Sequence, residues 1–276
     1  MNENASKISG KVAYTTFVAA MGSLLDGYDL AIIGGAFLFL KPQWHLNAGQ
    51  IGLLGSLAFA GMIVGALVFG RITDKVGRKS AFIVDLGLFV IGGLLSMFAN
   101  GVTMLAIGRF LVGFGIGADL PISTALIAEI APTEKRGFLT GLMQAFWFGG
   151  SLLSALVSIA VVNVGGGDSW RYMLGSGVVI AVIVMLLRMR IPESPRWLLA
   201  HGRENEARAV LPEVTVTTTT VTGKVAFGEL FSSKYGAALF LVCLFWFLVT
   251  IRGAAFVVYT PSVLTTFGLT SKSRKL

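Results

Sequence analysis

Gly70-Arg71-Ile72-Thr73-Asp74-Lys75-Val76-Gly77-Arg78-Lys79 is the stretch that decides the fold of this chain. It is short, charged and punctuated by glycine, with long apolar segments on either side. Its spacing, G-x-x-x-D-x-x-G-R-K, predicts a turn between two membrane-spanning helices. Gly70 is expected to let two helix ends approach closely, and Gly77 to turn the chain without a Cβ penalty. Asp74 is expected to accept hydrogen bonds from the N-terminal amides of a neighbouring helix, or from arginines. Arg78 and Lys79 would hold the turn on the cytoplasmic side.

The composition around that stretch is that of a membrane protein. Of 276 residues, 55% are hydrophobic and 13% charged, and the mean hydropathy is +0.80. Apolar runs of about 20 residues recur, the length that crosses a bilayer. The 35 glycines suit close helix packing in lipid. One cysteine, Cys243, excludes an internal disulfide framework. The N-terminus carries no cleavable signal pattern, and the first apolar segment is too long for a signal-peptide core.

Seven spans are predicted, at roughly 12–39, 49–71, 80–99, 102–128, 137–163, 170–190 and 235–262. They must be helices, because backbone polar groups in lipid need partners within the segment. With the N-terminus placed in the cytoplasm, 15 Lys and Arg fall in the inside stretches 1–11, 71–79, 135–136, 188–208 and 224–234. Only Lys41 and Arg171 fall outside. This asymmetry orients the first six spans. It also accounts for the net charge of +8 without any nucleic acid. The expected organisation is a six-helix bundle over 1–190, a cytoplasmic loop with a short helix and a Thr-rich linker over 191–233, and a seventh helix with its tail over 234–276.

Charged groups inside the spans are costly and usually face a cavity or a partner. Asp26 and Asp29 lie three residues apart on one face of the first helix. In the fourth span, Arg109, Gly113 and Gly117 repeat every four residues along one stripe. The glycines admit another helix, and Arg109 needs an anion. An arginine stays protonated, so its natural partner is a carboxylate that titrates, and Asp29 fits. Asp119, before Pro121, is a second intramembrane acid. Asp85 is read as a hydrated or paired acid near the cytoplasmic end of the third span, and not as a site. The Gly113-x-Gly115-x-Gly117 spacing is no nucleotide loop, since no strand precedes it. In the fifth span, Gln144 and Trp147 suit a polar solute, with helix–helix hydrogen bonding as the alternative for Gln144.

These motifs resemble the major facilitator superfamily of secondary transporters. The Gly70–Lys79 pattern resembles the loop joining its second and third helices. Gly27-Tyr28-Asp29 resembles the sugar porters, and Asp26-Gly27-Tyr28-Asp29 the aromatic-acid:proton symporters. By that likeness Asp29 is the proton-accepting carboxylate, Arg109 with its three glycines matches an element associated with proton coupling, and Asp26 and Asp119 are expected beside them as proton-coupling acids. Gly117-Ala118-Asp119 before Pro121 resembles the phosphate:proton symporters, with Leu120 where those have Tyr. Glu129 and Arg136 match the family's E-x-x-x-x-x-x-R, and Gln144 with Gly150 its Q-x-x-x-x-x-G. Pro192-Glu193-Ser194-Pro195-Arg196 matches its P-E-S-P-R. The resemblance implies that Gly70, Asp74, Gly77, Arg78, Lys79, Glu129, Arg136, Glu193 and Arg196 gate the cytoplasmic side.

The seventh span keeps only Tyr259 and Pro261 of the sugar porter pattern. Leu248 and Val249 stand at its glutamine positions and Ala254 at its asparagine. Arg252 is an unexpected cation there, suited to an anionic substrate.

The expected fold is therefore an all-α membrane protein: the six-helix N-terminal half of the major facilitator fold plus a seventh transmembrane helix. The expected function is proton symport of a small polar metabolite, a sugar or an organic acid, by alternating access in the cell membrane. The chain carries one Gly70–Lys79-type loop, where the family has one in each half, so a truncated form is expected. A non-transporting half-length fragment or assembly partner is the alternative. The partners are then the substrate, protons and the bilayer, with a homodimer or a complementary second half as protein partners. With two His, His45 and His201, and no nucleophile–base spacing, the sequence offers no enzyme, metal site or cofactor.

Overall fold

The computed structural model describes residues 9–162, 164, 166–210, 232, 235–245 and 247–249. The chain divides into two units, Met1–Pro212 and Glu213–Leu276. In the first, six helices are long and apolar enough to cross a membrane. These are α1 (Gly10–Gln43), α2 (Ala48–Val76), α3 (Arg78–Met97), α4 (Val102–Ile130), α5 (Arg136–Val161) and α6 (Ser169–Arg188). Two short helices follow, α7 (Pro195–Ala200) and α8 (Glu204–Val210). The shortest spans, of 20 residues, are about 30 Å long, which matches the hydrocarbon core. In the second unit an apolar helix covers Gly236–Val249. The rest of the expected seventh span, with Arg252 and Tyr259, lies outside the described residues.

Local chemistry sets the helix ends. Ser9 caps α1 by accepting the Val12 amide at 3.3 Å. Asn47 and Gln50 form a reciprocal capping box at the start of α2. Pro132 follows the end of α4 at Ile130, as expected of a residue that cannot continue a helix.

The stretch at 70–79 differs from its reading as a turn. Helix α2 runs on through it to Val76, and the chain reverses at Gly77 alone, with φ +91°. Across that reversal Asp74, in the last turn of α2, pairs with Arg78, the first residue of α3, at 3.4 Å. Gly70 is exposed inside α2, and an added Cβ there would meet nothing within 4 Å. It does not serve a close approach.

Close approach occurs deeper. An added Cβ at Gly61 or Gly65 on α2 would strike the backbone carbonyls of Phe110 or Phe114 on α4. One at Gly113 or Gly117 would strike those of Ala58 or Met62 on α2. The four glycines thus mesh two helices at backbone distance, the geometry that replaces the hydrophobic effect in lipid. Gly27 on α1 and Gly150 on α5 do the same against Trp147 and Leu24. Helix α1 packs on α5 and α6, α4 on α2 and α3, and α3 also meets α6. The most buried helices, α1 and α4, carry Asp26, Asp29, Arg109 and Asp119, while α3 and α6 add Asp85 and Arg188.

Candidate functional site: buried ion pairs and a charged helix-end network

Arg109 and Asp29 meet inside the bundle. Arg109 Nη1 donates to Asp29 Oδ2 at 2.6 Å, and Nη2 to the Asp29 backbone carbonyl at 3.3 Å. Both residues are buried. Next to Asp29, the Tyr28 hydroxyl lies 2.5 Å from the Ser176 hydroxyl, joining α1 to α6. At the bilayer's low dielectric such a pair holds only while both charges are present, because either alone is left uncompensated.

A second charged centre was not read from the sequence. Arg188, the last residue of α6, is fully buried. Its guanidinium donates to Asp119 Oδ2 at 2.8 Å and to Asp85 Oδ2 at 3.5 Å. It lies over the Phe82 ring, 4.2 Å from the centroid. Asp119 also accepts the Ser123 hydroxyl at 2.7 Å. Arg188 therefore does not belong with the loop cations that set orientation; its side chain turns back into the bundle. Asp85 is paired and dry, not hydrated, and Asp119 and Asp26 are buried as well. A charge count held the signal: four intramembrane acids, Asp26, Asp29, Asp85 and Asp119, exceed what Arg109 alone can balance.

The end of the bundle around Gly77 carries a third group. Glu193 accepts the backbone amides of Arg78 at 2.7 Å and Lys79 at 3.2 Å, and so caps α3. Of the two partners expected for Asp74, helix-start amides or arginines, it takes the second: it is largely exposed and, among the described residues, pairs with Arg78. The amides go to Glu193, which the Pro192–Arg196 segment brings over the helix start. The Arg78 guanidinium reaches Glu129 at 3.3 Å. Glu129 in turn accepts the Ser194 hydroxyl. The residues 78, 129, 193 and 194 thus tie α3, α4 and the start of α7 together. Arg136 and Arg196 enter no ion pair among the described residues, and Arg136 Nε is buried without a partner.

The pattern described as "Sugar (and other) transporter" matches residues 15–273. The chain belongs to that family. It is similar to the putative metabolite transport protein YaaU of Escherichia coli, with 34% identity over 252 residues. Those are 90% of this chain and 56% of that protein. It is 34% identical over 274 residues to the E. coli inner membrane metabolite transport protein YgcS, covering 94% of this chain and 59% of YgcS. A solved D-xylose–proton symporter superposes with a TM-score of 0.73 at 27% identity, over 95% of this chain and 63% of that one. The chain spans about half the length of the curated relatives it matches.

Membership of the sugar (and other) transporter family sets the six helices as its N-terminal half, in the major facilitator superfamily. These are membrane transporters and not enzymes. Of the residues expected to meet a substrate, Gln144 is exposed on α5 and Trp147 half-buried, its ring edge-on to Phe148. Gln144 has no hydrogen-bond partner on another helix among the described residues. Arg252 and Tyr259 lie outside those residues.

Proposed function

We propose that the chain takes part in proton-coupled transport of a small polar metabolite across the cell membrane by alternating access. The observation that carries this reading is the buried Asp29–Arg109 pair. A proton arriving on Asp29 removes the charge that holds Arg109, and frees α1 from α4 at that level. Gln144 and Trp147, on α5, are the substrate-facing groups of this half. The network of Arg78, Glu129, Glu193 and Ser194 keeps the helix ends at Gly77 together in one state and lets them part in the other. Gly77, Asp74, Lys79, Arg136 and Arg196 belong to the same gating set in this reading, and Gly70 lies further back on α2.

Relatives named for their substrates include a glucose transporter of Staphylococcus epidermidis, 38% identical over 199 residues, and the D-xylose–proton symporter. They support a sugar or a similar polyhydroxylated solute. The basic end at Gly77 faces the cytoplasm in this reading, with the N-terminus on the same side.

The experiment is uptake into proteoliposomes under an imposed pH gradient, with hexoses, pentoses and aromatic acids. The chain is assayed alone and joined to a second six-helix half. Uptake that needs the gradient and is lost in Asp29→Asn supports the reading. Uptake that ignores the gradient, or survives Asp29→Asn, refutes it. Uptake only in the joined form favours the alternative, in which this chain acts as an assembly partner.

A further inference from the structure

Asp26 is buried, and its Oδ2 has no hydrogen-bond partner among the described residues. It sits one helical turn beyond Gly22. An added Cβ at Gly22 would run into the Arg188 guanidinium and the Asp119 carboxylate. Residues four apart share a helix face, so Asp26 looks onto the same cluster. The charged groups within electrostatic reach of it are Asp119, Arg188, Asp85 and Asp29. Among the described residues, no other cation packed here is free to balance it. Along α5 the only ionisable residue is Arg136 at its start, and α2 has none before Arg71. Arg109 on α4 is held by Asp29 at 2.6 Å.

Two carboxylates therefore share the Arg188 guanidinium, and a third, Asp26, is buried beside them without a partner of its own. Fully ionised, the cluster would bury two negative charges beyond the one that Arg188 balances. A carboxylate buried without a partner neutralises by taking up a proton. A metal ion is the other way to balance it, but no three acidic groups among the described residues converge to hold one.

We propose that Asp26, Asp85, Asp119 and Arg188 form a proton-binding site of their own, separate from the Asp29–Arg109 pair, with Asp26 as the receiving group. On uptake a proton from bulk water forms an O–H bond on the Asp26 carboxylate; release returns it to water, and no other bond changes. Arg188 is the positioning residue. It holds Asp85 of α3 and Asp119 of α4 against the face of α1 that carries Asp26. The protonation state of Asp26 then sets the charge where four helices meet. The proposal concerns equilibrium proton binding and does not depend on transport.

The test is infrared difference spectroscopy of the full chain in lipid nanodiscs between acid and alkaline buffers. Wild type, Asp26→Asn, Asp29→Asn and Arg188→Lys are compared. The expected result is a protonated-carboxyl C=O band that is kept in Asp29→Asn and lost in Asp26→Asn. In Arg188→Lys, which keeps the charge and loses the two-pronged contact, its pH midpoint shifts. A band unchanged in Asp26→Asn overturns the proposal, as does a band abolished when sodium replaces choline in the buffer. Should Asp26→Asn fail to fold, the Asp29→Asn protein with 13C-labelled aspartate decides. A pH-dependent carboxyl band there that remains after Asp74→Asn and Asp168→Asn supports the site, and its absence refutes it.

Discussion

Glu193 accepts the backbone amide of Arg78 at 2.7 Å across a separation of 115 residues. It also takes the amides of Lys79 at 3.2 Å and Ser194 at 2.8 Å. A carboxylate at a helix start satisfies donors that the helix leaves unpaired and meets the positive end of its dipole. Here α3 has no cap from its own side chains, so the cap comes from the far side of the sequence. Glu193→Ala is expected to lower stability by about 1–2 kcal/mol, the range for a lost N-cap. Glu193→Gln, which keeps an acceptor and loses the charge, should fall between. Thermal unfolding in detergent checks the order.

Glycines at 70 and 117 are expected to respond in opposite ways. Gly117 faces the Met62 backbone, and an added Cβ would collide with its carbonyl. Gly117→Ala should cost about 1–3 kcal/mol, as overpacking does when the backbone must shift. Gly70 is exposed within α2 with open space about it. Gly70→Ala should leave the protein as stable or more so, by up to about 1 kcal/mol from helix propensity. Melting temperatures of the two variants decide whether the motif's first glycine is there for folding or for another state.

The helices were legible because twenty-residue apolar runs between charged breaks leave little else to form in lipid. The Asp29–Arg109 contact was legible too, since a permanent cation at membrane depth needs a titrating anion. The turn at 70–79 was read too long. Arg71, Asp74 and Lys75 look like loop residues, yet they lie exposed on the last turns of α2. Arg188 was misread for a related reason. Standing beside Arg190 at the end of an apolar run, it looks like an orienting cation, and only the fold shows which way its side chain turns. That Glu193 would cap α3 could not be read from spacing, because 115 residues separate it from Arg78.

On the surface, Arg203 donates to both carboxylate oxygens of Glu206, at 2.7 and 2.8 Å. These hydrogen bonds hold the Glu206 carboxyl below its ordinary value of 4.5. A carboxyl whose folded pKa is depressed stabilises the fold above its unfolded pKa and ceases to as pH falls through the folded one. The start of α8 is therefore expected to loosen in acid, below about pH 4.5 and not above it, and only modestly for so exposed a pair. Amide hydrogen exchange of residues 204–210, corrected for intrinsic rates, should show protection falling there. In Glu206→Gln the protection should no longer depend on pH in that range.

The Asp29–Arg109 pair should show strong non-additivity. Arg109→Gln leaves a buried carboxylate without its partner, and Asp29→Asn leaves a buried guanidinium. Removing one partner of a buried pair costs about 3–5 kcal/mol. The double variant leaves no charge, and two amides in the same place can hydrogen-bond to each other. It is expected to be more stable than Arg109→Gln and to recover about half of that loss or more. Arg109→Gln should also regain stability as pH falls, because protonating Asp29 removes the stranded charge; the double variant should not. Unfolding followed by tryptophan fluorescence across acid and neutral pH separates the two. Equal pH dependence in both would mean that Asp29 is not the group Arg109 holds.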